Sequence, residues 1–177
     1  MEVATRYKQE SKRIILLPIY QAILNLLGQS DNSLQNIEDM ITSDSNTERI
    51  HACFFFYRFL VAYIFGNYDV AACMLEQKRK TEERLVRKFA AFSTIDFWEG
   101  LVFFAMARKT KEQKWIHHIQ VSLSNMENQT QSLPAHFRQR LLLFEAESAN
   151  ITGDIEKAAE KYELAVNAFD EYGYTNE

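Results

Sequence analysis

Apolar residues return at steps of three and four along most of this chain, and the clearest instance lies near its C-terminal end. Ile155, Ala158, Ala159, Tyr162, Ala165, Val166 and Phe169 form one stripe, while Glu156, Lys157, Glu160, Lys161 and Glu163 fall outside it. That spacing predicts a helix from Ile155 to Tyr172 with one face committed to packing. A second helix is predicted ahead of it, from Phe137 to Ile151. Between the two, Gly153 supplies a left-handed residue that closes one helix, and Asp154 supplies a side-chain acceptor that opens the next. So short a turn makes the pair antiparallel. Small residues at Ala158 and Ala165, with the ring of Tyr162 between them, let two helices approach closely, as in a tetratricopeptide-type hairpin.

The same logic extends upstream. A helix from Tyr7 to Leu27, with Gly28 as its stop, is apolar almost all round and expects neighbours on both sides. The polar span from Asp31 to Asn46 reads as a long connection. Ser45 and Glu48 fit a capping box that opens the next helix. Its stripe is Ile50, Cys53, Phe54, Tyr57, Leu60, Val61 and Ile64, and Phe55, Phe56, Phe59 and Tyr63 cover most of what remains, so it is expected to be the most buried helix. The turn around Gly66 repeats that around Gly153, with Ala71 and Leu75 at the offsets of Ala158 and Tyr162, which marks an internal repeat. Further helices are predicted from Tyr68 to about Glu82, from Phe92 to about Arg108, and through Trp115, Ile119, Leu123 and Met126. Lys109-Thr110-Lys111 reads as a turn, Asn128 to Ser132 as a polar loop, and Pro134 as a first-turn proline. The expected fold is all-α: a TPR-like α-solenoid of about three antiparallel hairpins plus an N-terminal helix, about seven helices in one domain over residues 1–177.

Composition agrees with short turns and no sheet, since 177 residues include only five Gly and two Pro. Cys53 and Cys73 sit inside apolar helical patterns and form no CxxC pair, so a reducing, cytoplasmic setting is expected. Arg6, Lys8, Lys12 and Arg13 precede the apolar run from Ile14 to Leu27. Pro18, Tyr20, Gln21 and Asn25 interrupt that run and no small-residue cleavage site follows, so it reads as neither leader nor membrane span. A net charge of −4 argues against a general nucleic-acid binder. The charge is nevertheless uneven: six basic residues lie between Lys78 and Lys88, and nine acidic ones between Glu145 and Glu177.

Catalytic chemistry needs a convergent constellation, and the sequence offers none. The glycines are scattered, with no phosphate-cradling loop. Adjacent His117 and His118 point about 100 degrees apart on a helix and do not share one ion easily. A phosphotransfer or metal role for His118 is the weakest of the readings, because Ile119, Gln120 and Val121 follow where phosphotransfer domains place a Lys and a Gly. No catalytic residue, metal or cofactor is expected, and the partners expected are proteins. Aligning the two hairpins on their turn glycines puts Cys53, Phe56, Leu60, Tyr63 and Ile64 on the concave side of one repeat. The later repeat contributes Arg140, Leu143, Glu147, Asn150 and Ile151 as a possible protein-binding groove. The first set is too apolar to face water and expects a cover; the second is mixed enough to admit a peptide.

Leu17 through Gly28, the stretch from Tyr57 to Tyr68, Asp96-Phe97-Trp98, and Phe144-Glu145-Ala146-Glu147 followed by Gly153, Ala158, Tyr162 and Ala165 together resemble part of a known family. It is the family of large multidomain signalling kinases that join a Ser/Thr kinase domain, a predicted AAA-type ATPase, GAF and histidine kinase modules. The similarity is to the helical-repeat region after the ATPase core. It implies a non-catalytic scaffold for protein or interdomain coupling in signal transduction, within a larger architecture of which this chain would be a fragment or truncated member. The alternative is an unrelated TPR-like adaptor that binds a peptide in its concave groove. The family's phosphate loop, kinase motifs and GAF module are missing here, so no catalytic residue carries over and no enzymatic activity is expected.

Overall fold

A computed structural model describes residues 16–29, 47–83 and 95–171, and these are helical apart from short turns. Among the described residues there are seven helices and no strand. They fall into two compact units, Met1–Ala91 and Phe92–Glu177. The connection expected at 31–46, the Ser45 side of the capping box and the start of the first helix lie outside the described residues.

In the first unit, α1 is helical over residues 16–26 and stops at Gly28, whose φ of +70° is left-handed. The Gly28 N–H donates to the Asn25 carbonyl (3.1 Å) and the Gln29 N–H to that of Leu24 (2.8 Å), so the last turn's acceptors are satisfied. Helix α2 (Thr47–Ile64) ends in the same way at Gly66, with Gly66 donating to Tyr63 (2.9 Å) and Asn67 to Ala62 (2.8 Å). This turn folds α3 (Tyr68–Glu82) back along α2. Ala71, Ala72, Leu75 and Lys78 are the buried residues of α3, and the buried Lys78 ammonium pairs with Glu82 one turn on, at 2.8 Å. Its aliphatic stem fills space as an apolar residue would.

Helix α2 buries a different stripe from the one expected. Ala52, Phe54, Phe56, Phe59 and Ala62 are buried, whereas Tyr57, Leu60 and Val61 are half-buried and Ile64 is exposed. A helix apolar around its whole circumference carries no periodic signal that selects a face. Phe59 is fully buried and meets Phe56 edge-on at 5.2 Å. Helix α1 also departs from its reading. It buries only Pro18 and Ala22, while Leu16, Tyr20, Ile23, Leu26 and Leu27 are exposed.

The second unit comprises α4 (Ile95–Thr110), α5 (Gln113–Ser132), α6 (Pro134–Thr152) and α7 (Ile155–Glu171). Helix α6 packs on α5 and α7, and α4 packs on both α5 and α6. With two neighbours, α4 is buried at Phe97 and continuously from Glu99 to Ala107, which makes it, rather than α2, the most buried described helix. The expected loop at 128–132 is instead the end of α5. There the hydroxyls of Thr130 and Ser132 donate to the carbonyls of Met126 (2.7 Å) and Asn128 (3.2 Å), so polar side chains serve a helix end rather than a loop. Pro134 opens α6, and Gly153 (φ +83°) closes it with Gly153 donating to Asn150 (3.2 Å) and Asp154 to Ala149 (3.0 Å). Asp154 Oδ1 then accepts from the Lys157 N–H at 3.2 Å, capping α7 as its position implied.

Candidate functional site

Arg140, Phe144, Glu147 and Ile151 lie along one face of α6, at helical steps of four, three and four. Helix α4 lies against that face. The Arg140 guanidinium sits 5.5 Å from the centre of the Phe97 ring and 5.7 Å from that of Phe137, and Arg140 is only 4% exposed. One turn on, the fully buried Phe144 ring stacks on Phe97 (5.6 Å) and meets Phe104 edge-on (5.3 Å). At the far end Glu147 pairs with Arg108 of α4 and accepts a hydrogen bond from the Tyr162 hydroxyl of α7 at 2.8 Å. Lys161 of α7 pairs with Glu145 of α6 at 2.7 Å.

This geometry bears directly on the expected groove. Arg140 and Glu147 do not line an open surface, because α4 occupies that side of α6 and engages both. Leu143, Asn150 and Ile151 are half-buried. The approach of α4 depends on Gly100: a Cβ built there would lie 2.2 Å from Phe144 Cζ. Sequence reading passed over Gly100 as one of several scattered glycines, although a glycine inside an apolar helical run is itself a signal of close approach. Tyr162, read as buried, is half-buried, and its hydroxyl ties α7 to Glu147. Tyr162→Phe removes that charge-assisted bond from a partly screened carboxylate and is expected to cost about 1–2 kcal/mol in urea unfolding. A change within error would mean that Arg108 alone satisfies Glu147.

Part of what α7 leaves outward is apolar. Ile155 is 64% exposed and Val166 59%, and with exposed Ala159 and half-buried Tyr162 they fall on one line along the helix. Glu156, Glu163 and Asp170, seven residues apart and all exposed, run beside that line. This edge of the expected stripe is turned to solvent, while Ala158, Ala165, Ala168 and Phe169 are buried.

The histidines do not converge. His118 is half-buried and stacks on Phe103 (4.8 Å, 22°) beside buried Trp115, His117 is exposed, and His51 stacks on Phe55 (6.2 Å). Among the described residues no group of three or more His, Cys, Asp or Glu is placed to hold a metal ion. No described helix is long and apolar enough to cross a membrane.

Burial pushes the Cys53 thiol up to about 11, and burial followed by the nearby Cys53 thiolate raises Tyr57. Cys73 on α3 is exposed. Because the thiolate is the nucleophile, at pH 8 Cys53 is expected to alkylate about a hundredfold more slowly than a thiol of ordinary pKa near 9. Stability linked to the neutral Cys53 thiol is present below pH 9 and is lost as pH rises from 9 towards 11, because the unfolded chain ionises first. Mass spectrometry of iodoacetamide-treated native protein checks the order; equal labelling of both thiols would place Cys53 in solvent.

No protein-family model matches the chain, and no curated protein or solved structure matches it significantly.

Proposed function

We propose that this protein is a non-catalytic helical-repeat scaffold that couples proteins or domains, and that the outer face of α7 is where it does so. The observation that carries the reading is the line Ile155, Ala159, Tyr162 and Val166: exposed Ile155, Ala159 and Val166 with half-buried Tyr162 at helical spacing, on a helix whose adjacent face is buried at Ala158, Ala165, Ala168 and Phe169. A helix with apolar residues on two faces is built for two neighbours. The structure supplies one of them, through α6. The acidic row of Glu156, Glu163 and Asp170 defines the second by charge. It fits an amphipathic helix whose apolar stripe is edged with Lys or Arg, docked in the manner of the next helix of a repeat stack.

The matching glycine turns of α2–α3 and α6–α7, with buried Ala71 and Ala158 at the same offset, support the repeat part of the reading. Placement in signal transduction, beside kinase or ATPase domains, rests on the resemblance of sequence positions. The test is site-specific photo-crosslinking in cells, with a benzophenone side chain replacing Val166 or, as a control on the buried side, Ala168. The expected result is one defined protein adduct from position 166 and none from 168. An equal, diffuse adduct pattern from both positions, or none from 166, would overturn the assignment of this face.

A further inference from the structure

Among the described residues the first unit carries a second exposed apolar line, and its chemistry differs from that of α7. Leu16, Tyr20, Ile23 and Leu27 follow one another at steps of four, three and four, and every one of them is about half-exposed or more, as is Leu26 beside them. The residues α1 buries, Pro18 and Ala22, lie on the opposite side and are small. The helix therefore leaves five bulky side chains outward while its fully buried residues are small, with Leu17, Ile19 and Leu24 half-buried between the two sides.

We propose that this face of α1 is a homodimer contact, in which the α1 stripe of one copy packs against the same stripe of a second copy. Three observations favour a second copy over another occupant. From Ile14 to Ser30 the chain has no charged residue, so the face offers nothing to select an acidic or basic partner and nothing to repel its like. The alternation of four and three is the spacing of a coiled-coil seam, which is self-complementary under a two-fold axis. Five exposed large side chains on each copy bring the total buried area to on the order of 1,000 Å², the size class of weak, transient interfaces rather than obligate ones. An interfacial membrane helix instead presents a strongly charged polar face opposite its apolar one. Here that opposite side is occupied by buried Pro18 and Ala22.

This contact concerns the first unit and stands or falls separately from the α7 reading. The test is sedimentation velocity of the full chain between ~1 and ~100 μM, a range suited to a weak, transient interface. The expected result is a monomer–dimer equilibrium that Ile23→Glu shifts to monomer at every concentration, with an unchanged far-UV circular dichroism spectrum. Leu27→Glu, just past the last helical residue, is the second variant in case Ile23→Glu does not fold, and it is expected to do the same. Val166→Glu is expected to leave the dimer intact. A wild-type monomer at the highest concentration overturns the proposal, whether the face is then covered by another part of the chain or binds neutral phosphatidylcholine vesicles in a flotation assay. Open-ended growth that Val166→Glu abolishes also overturns it, since α1 would then be docking on α7 of the next copy.

Discussion

Phe144→Ala is expected to destabilise the second unit by about 3–5 kcal/mol, the range for truncating a fully buried aromatic ring. Phe144 is 0% exposed and makes two defined ring contacts, stacked on Phe97 and edge-on to Phe104, so its loss empties the centre of the α4–α6 contact. Neither neighbour collapses easily into the space. Both belong to α4, whose other sides are already packed, and a cavity that cannot relax stays near the top of the range. The measurement is selective. Both tryptophans, Trp98 and Trp115, lie in the second unit, so urea unfolding followed by tryptophan fluorescence reports on that unit alone. A midpoint shift corresponding to less than about 1 kcal/mol would mean that α4 does not rest on α6 as described.

Helix existence and turn chemistry were legible in the sequence because both are written locally. Gly28, Gly66 and Gly153 each adopt the left-handed conformation required of a helix stop, and Asp154 caps the helix it precedes. Helices α3, α6 and α7 end within a few residues of their expected positions. The readings that failed depended on which face a helix turns towards a distant neighbour. In α2 nearly every position is apolar, so its periodicity could not distinguish the Phe56–Phe59 side, which is buried, from the Ile64 side, which is not.

The groove failed for a related reason. Arg140 and Glu147 look like open-surface residues by type. A buried guanidinium over two rings and a carboxylate shared by Arg108 and Tyr162 are tertiary arrangements that no local spacing announces. Alignment of α6 with α2 on their turn glycines assumed equivalent neighbours for both. In the second unit α4 lies along α6, and the face assigned to a ligand is occupied by another helix of the same unit.

Gly100→Leu is expected to abolish cooperative folding of the second unit, and Gly100→Ala to lower its stability although alanine is the better helix former. The two effects oppose each other. Replacing a mid-helix glycine by alanine favours the helix by about 1 kcal/mol, whereas overpacking a close-packed core costs about 1–3 kcal/mol. Here the added Cβ meets three atoms of the Phe144 ring at 2.2, 2.8 and 3.1 Å, and that ring is pinned between Phe97 and Phe104. Overpacking wins, by up to about 2 kcal/mol net for alanine, and leucine places three further carbons where no space exists. If the clash is the cause, removing the ring must reverse the sign. In a Phe144→Ala background, Gly100→Ala is expected to stabilise by about 1 kcal/mol, giving a coupling energy of about 1–3 kcal/mol across the double-mutant cycle, the overpacking cost itself. A Gly100→Ala variant that stabilises both backgrounds equally would show that α4 and α6 do not touch at this point, and that glycine is there for some reason other than the approach of Phe144.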